Sequence, residues 1–136
     1  MDIQCFFDKL YDEGKKLELL QNELEVISAR ITEAGGVGGA PISGGGSGGG
    51  RPHELSDLFI METNARKRAE SQKEKVERLR ITAGVMIDTL PKNLQKTVMR
   101  QRYFYLWPWK RIAAATHYSI TYTKLVRAEA IAFLKK

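Results

Sequence analysis

The chain has 136 residues, 43% apolar and 28% charged, with a formal net charge of +6. That suffices for one domain, or a small domain plus an extended element, and is too apolar for a chain disordered throughout. A single cysteine, Cys5, excludes an internal disulfide and a cysteine-built metal site, and His53 and His117 stand in separate segments with no ligand at metal spacing. No apolar run approaches the roughly 20 residues that cross a bilayer. The opening Met1-Asp2-Ile3-Gln4 lacks the basic start and apolar core of a secretory signal. A cytoplasmic protein with no membrane partner and no cofactor is expected.

From Phe6 to Ile31 the apolar residues keep a seven-residue beat. Leu10, Leu17, Leu24 and Ile31 hold one heptad position and Phe6, Leu20 and Ile27 the other; only Glu13 breaks the set. Residues 1–33 are therefore expected to form a coiled-coil helix, or an amphipathic helix packed within its own domain. Ten of the twelve glycines fall between Gly35 and Gly50, which makes residues 34–52 a flexible linker. Such a linker spans about 23 Å r.m.s., more than the roughly 8–10 Å between packed helices. It permits an antiparallel hairpin or pairing between chains, and either a natural tip or an engineered insertion.

A second stalk helix is expected over residues 53–90. Its stripe runs Leu55, Leu58, Ala65, Ala69, Val76, Leu79, Ala83, Met86 and Leu90, with the polar Gln72 at its weak centre. Leu90-Pro91 ends it, because proline disfavours helix in the residue before it.

The remaining residues, 91–136, carry ten bases and one acid, Glu129, whereas residues 1–33 carry four bases and eight acids. So uneven a charge points to a polyanion partner for the carboxyl-terminal end alone. A third helix is expected from Asn93, as its cap, to Tyr105. A fourth starts at Trp107-Pro108, since proline suits a first helical position, and runs to Ala115. His117-Tyr118-Ser119 reads as a tight turn, and Ser119 or Thr121 caps a last helix ending at Leu134. Ile112, Ala113, Val126, Ala130, Ile131 and Leu134 are expected to close a core with Leu94, Val98 and one or both tryptophans. The fold class is thus all-α: a long helical hairpin or coiled coil followed by a small carboxyl-terminal helix-turn-helix bundle.

Arg102-Tyr103 followed by Pro108-Trp109-Lys110-Arg111-Ile112-Ala113, then Tyr118-Ser119, then Val126-Arg127 with Ala130-Ile131, resembles the "RY…SWxxIA" signature of phage-encoded regulators. These RinA/ArpU-like proteins have a carboxyl-terminal helix-turn-helix similar to region 4 of bacterial sigma factors. The resemblance extends to the coiled-coil helix, the Gly-rich break and the charged second helix. It implies a transcriptional regulator of late phage genes, acting in a bacterial host. The chain departs from the pattern at Leu106 and His117, where the family usually has glycine or a glycine-like residue, and at Gln101 and Thr123, where it has apolar residues.

In a helix-turn-helix the second helix lays its first residues against base edges in the major groove. Thr121, Tyr122, Lys124 and Leu125 take that place here, with Ser119 before them and Arg127 one turn later. Lys124 suits guanine or a phosphate, and Thr121 or Leu125 a thymine methyl. Lys110, Arg111 and Arg100 are placed for phosphates, which set register rather than sequence choice. Tyr122 has a rival role packed on Tyr118 or Trp109, and Leu125 a rival role against a protein. Trp107 and Trp109 are assigned to the core.

Double-stranded DNA is therefore the expected partner, with a second copy paired through the stalk as a further candidate; the non-DNA alternative is a sigma-like module that grips RNA polymerase or another regulator. A small terminase-like packaging subunit is the other DNA-binding reading, although those proteins usually place the DNA-binding module first. Catalysis is not expected: the chain has no nucleophile–base pair at sensible spacing, and Glu129 alone cannot hold the metals that phosphodiester cleavage uses.

Overall fold

The computed structural model describes residues 2–35 and 52–136, with side chains for 2–34 and 55–136. Among them the chain is all helical: α1 (Ile3–Gly35), α2 (Pro52–Asp88), α3 (Asn93–Tyr103), α4 (Trp109–Thr116) and α5 (Ile120–Leu134). The glycine-rich segment expected as a linker lies, save for its ends, outside the described residues. No described helix is long and apolar enough to cross a membrane.

The helices divide into two compact units, one of Met1–Lys16 with Glu74–Lys136, the other of Leu17–Lys73. In the second unit α1 and α2 run antiparallel: Ser28 donates to Glu62 at 2.9 Å, and Arg68 pairs with Glu23 at 2.9 Å. The two helices thus meet within one chain, and Leu17, Ile27, Leu58, Ala65 and Ala69 are buried in this unit. Gln72 is buried beside them. Small residues let the helices approach closely but add little apolar area, so this seam gains less from burial than a leucine seam would. Phe59, Ile60 and Met61, three consecutive apolar residues of α2, remain exposed here.

In the first unit one cluster buries Phe7 and Leu10 of α1, Ala83 and Ile87 of α2, Met99 and Tyr103 of α3, and Ala130 and Ile131 of α5, with Leu90. A second, smaller cluster holds Val98, Ile112 and Val126, flanked by Leu94, Trp107 and Trp109. The expected core therefore splits. Val126 turns toward α4, while Ala130 and Ile131, one turn on, face both long helices. Phe7 rather than Phe6 is fully buried, and Ile87 rather than Met86. On α1 the buried positions run Phe7, Leu10, Gly14 and Leu17, so the stripe passes through Gly14 rather than Glu13.

Two helix ends carry the bends that place α4 and α5. Leu106 sits at φ 59 and His117 at φ 63, the left-handed region. After α3 the Trp107 N–H donates to Gln101 O at 3.0 Å, and after α4 the Tyr118 N–H donates to Ala113 O at 3.2 Å. These bonds satisfy helix-terminal carbonyls and require the intervening residue to turn left-handed, where glycine meets least strain. The backbone thus keeps the bends without the glycines. His117 is exposed, so its side chain offsets little of the strain. His117→Gly is expected to raise the unfolding free energy by about 0.5–1 kcal/mol, read as a higher denaturant midpoint at unchanged slope. A lower midpoint would refute the strain.

Candidate nucleic-acid interface

The turn between α4 and α5 spans His117, Tyr118 and Ser119. Ser119 caps α5, its Oγ accepting the Tyr122 N–H at 3.0 Å, so one of the orphan donors at that end is satisfied. Three expected boundaries shift. Lys92, without a side-chain cap bond, precedes α3 instead of Asn93 capping it, and α3 stops at Tyr103 because Leu106 closes its end. Pro108 is extended and stands just outside α4 as its cap position.

Within α5, Thr123 is fully buried, and its hydroxyl donates to Ile120 O at 2.8 Å. A polar side chain in the core position is tolerated because its one proton is donated locally. Thr121, Tyr122, Lys124 and Leu125 are exposed on the same helix, with Leu125 50% accessible. Tyr122 stacks on Tyr118 with ring centroids 4.9 Å apart, and both rings stay exposed. Lys110 and Arg111 lie exposed in the first turn of α4, the Arg111 guanidinium 3.9 Å over the Trp107 ring. Trp107 and Trp109 are half-buried against the smaller cluster.

Two basic residues expected at the DNA face pair with other side chains, Arg100 at the surface and Arg127 largely buried. Arg100 pairs with Asp88 at the end of α2 at 2.6 Å. Arg127 is 22% exposed at its side chain; its Nε donates to the Tyr103 hydroxyl at 2.6 Å and its terminal nitrogen lies 3.6 Å from Asp8. The sequence assigns Arg127 to phosphate because its own segment holds a single acid. The acid that answers it comes from α1, more than a hundred residues earlier. Burial, opposed by the Arg127 guanidinium, pushes the Tyr103 hydroxyl above its ordinary range, so it stays protonated at neutral pH.

Arg127 opens onto a cleft of about 530 Å³ formed by α1, α3, α4 and α5. Lys124 and Arg102 line it with Asp8 and Asp12 of α1, and the Tyr11, Tyr103 and Trp109 rings complete its walls. The Arg102 guanidinium lies 4.2 Å from the Tyr11 ring centre and 4.7 Å from that of Trp109, and it donates to Trp107 O at 3.1 Å. It ties the α3–α4 connection to α1 by cation–π contact. Arg102 is legible in the sequence as part of a motif but not as a tether, since its partner ring is on α1. The described residues contain no group of three or more His, Cys, Asp or Glu side chains able to hold a metal ion. Chemically, the site offers exposed donors and cations at the start of two adjoining helices, backed by a buried core.

No family model, curated protein or solved structure matches the chain.

Proposed function

We propose that the chain is a non-enzymatic regulator that binds double-stranded DNA in a sequence-specific way through α4 and α5, serving transcription in a phage or mobile element. The observation that carries this reading is the arrangement of α4, the three-residue turn and α5. The capped amino-terminal turn of α5 presents Thr121, Tyr122 and Lys124 outward while Thr123, Val126 and Ala130 anchor its other face. That is the disposition by which a recognition helix reads a major groove. The bases of residues 91–136 supply the attraction for phosphate. Arg127, held by Tyr103 and Asp8, falls outside the direct contacts; Arg100, whose pair with Asp88 is open to solvent, remains with Lys110, Arg111 and Lys124.

An anisotropy titration against pooled random duplexes at several salt concentrations tests it, with sequencing of the bound fraction. The expected result is one enriched motif and affinity falling with salt, at a log–log slope of about 0.9 for each phosphate neutralised. Lys124→Ala is expected to weaken binding and, if Lys124 meets a phosphate, to lower that slope by about one unit. Absence of duplex binding at low salt would defeat the proposal.

A second reading draws on the exposed Tyr118, Ile120, Tyr122 and Leu125, four large apolar side chains around one turn. A surface so apolar also suits a protein partner, RNA polymerase in the first instance. Loss of polymerase capture in Leu125→Glu, with duplex affinity retained, would favour that partner. Pairing of two copies through the exposed Phe59, Ile60 and Met61 belongs to the same proposal and is read by light scattering.

A further inference from the structure

The cleft at α5 sets acids of one helix against bases of another. Asp8 and Asp12 lie one turn apart on α1 and line the same cleft as Lys124 and Arg127, themselves nearly one turn apart on α5. Asp8 stands 3.6 Å from Arg127. On α5 itself the sole acid is Glu129, so the carboxylates facing these bases come from α1. The third base, Arg102, is already held between the Tyr11 and Trp109 rings.

We infer that Asp8 and Asp12 restrain the affinity of α5 for DNA, standing where phosphate oxygens would otherwise act on Arg127 and Lys124. The inference rests on the DNA-binding reading and adds to it that the amino-terminal end of α1 is part of the nucleic-acid surface. A phosphate drawn toward Lys124 meets the field of two carboxylates on the facing helix. Arg127 contributes its charge to DNA only to the extent that Asp8 leaves it uncompensated. Asp8 is 56% exposed at its side chain, so water and salt screen the pair, and the restraint is severalfold rather than absolute. Asp8 acts here as a positioning residue through Arg127, whereas Asp12 acts through charge alone.

The test measures binding of the full-length chain to one fixed duplex, from low to high salt. Asp8→Asn with Asp12→Asn is expected to tighten binding about three- to tenfold at low salt, the scale of one partly exposed charge pair and a neighbouring carboxylate. The gain should shrink as salt rises. Asp12→Asn alone, which leaves the Asp8–Arg127 pair in place, is expected to give a smaller gain in the same direction. Adding Arg127→Ala should remove most of the gain of the double variant. Glu25→Gln with Glu33→Gln changes the net charge equally, far along α1, and is expected to leave affinity near the parent value. Circular dichroism melts verify that each variant is folded.

If the parent binds and the Asp8/Asp12 variant binds no more tightly, the restraint is overturned while the DNA reading stands. The restraint is likewise overturned if the Glu25/Glu33 variant gains as much, since net charge would then be the cause. If neither parent nor variant binds duplex, both inferences fall together.

Discussion

Phe7→Ala is expected to lower the unfolding free energy by about 3–5 kcal/mol, the cost of removing a fully buried aromatic ring and leaving its cavity. Phe7 is wholly inaccessible, and its ring meets Tyr103 of α3 at 4.9 Å between centroids. It sits in one cluster with Ala130 and Ile131 of α5. The loss should therefore appear at the far end of the sequence, as an earlier denaturant transition in the fluorescence of Trp107 and Trp109. Phe6→Ala, at a half-buried ring, should cost clearly less. A tryptophan transition unmoved by Phe7→Ala would mean that the last three helices hold together without α1.

Gly14→Val is the second large effect. Gly14 is buried within α1, and a Cβ placed on it would stand 3.0 and 3.1 Å from the two terminal methyls of Leu106. Leu106 is itself only 5% exposed and left-handed, so the connection after α3 presses its side chain into the gap that the glycine leaves. A branched side chain there has no room, and overpacking of this kind costs about 1–3 kcal/mol. Glycine in a helix interior already costs about 1 kcal/mol against alanine, so its retention is explained by the close approach of Leu106. In a Leu106→Ala background the same substitution should cost markedly less, a non-additivity that a double-mutant cycle on denaturant melts would measure. Equal cost in both backgrounds would separate Gly14 from the loop.

How far the sequence discloses this arrangement depends on the reach of each signal. Ser119 as a cap, Pro91 as a stop and the seven-residue spacing of Leu10 and Leu17 are local, and they place the helices to within a few residues. The shift from Phe6 to Phe7 is not legible. Phe6 stands four residues before Leu10 and Phe7 three, and both spacings suit one face of a helix. Likewise Thr123 reads as a polar flaw in a core face, yet its proton goes to Ile120 O within the same helix. The engagement of Arg127 is out of reach altogether: it depends on Asp8 and Tyr103, brought to α5 by tertiary packing rather than by any spacing along the chain. The scarcity of acids near Arg127 in sequence therefore misleads, because charge balance is a property of space. Exposed positions such as Thr121, Lys124 and Leu125 are easier, since a capped amphipathic helix fixes its outer face by periodicity alone.

The compact unit assembled from Met1–Lys16 and Glu74–Lys136 also has a consequence in time. Its larger core takes Phe7 and Leu10 from the first turns of the chain and Ile131 from the last. During synthesis α1 leaves the ribosome long before the residues that bury its aromatic face exist. The core can close only once Ile131 has been released, and closure then pays the entropy of joining distant segments. Folding of this unit should accordingly be slow for an all-helical protein, whose contacts are otherwise local. Until then Phe6, Phe7 and Tyr11 form an apolar face open to chaperones.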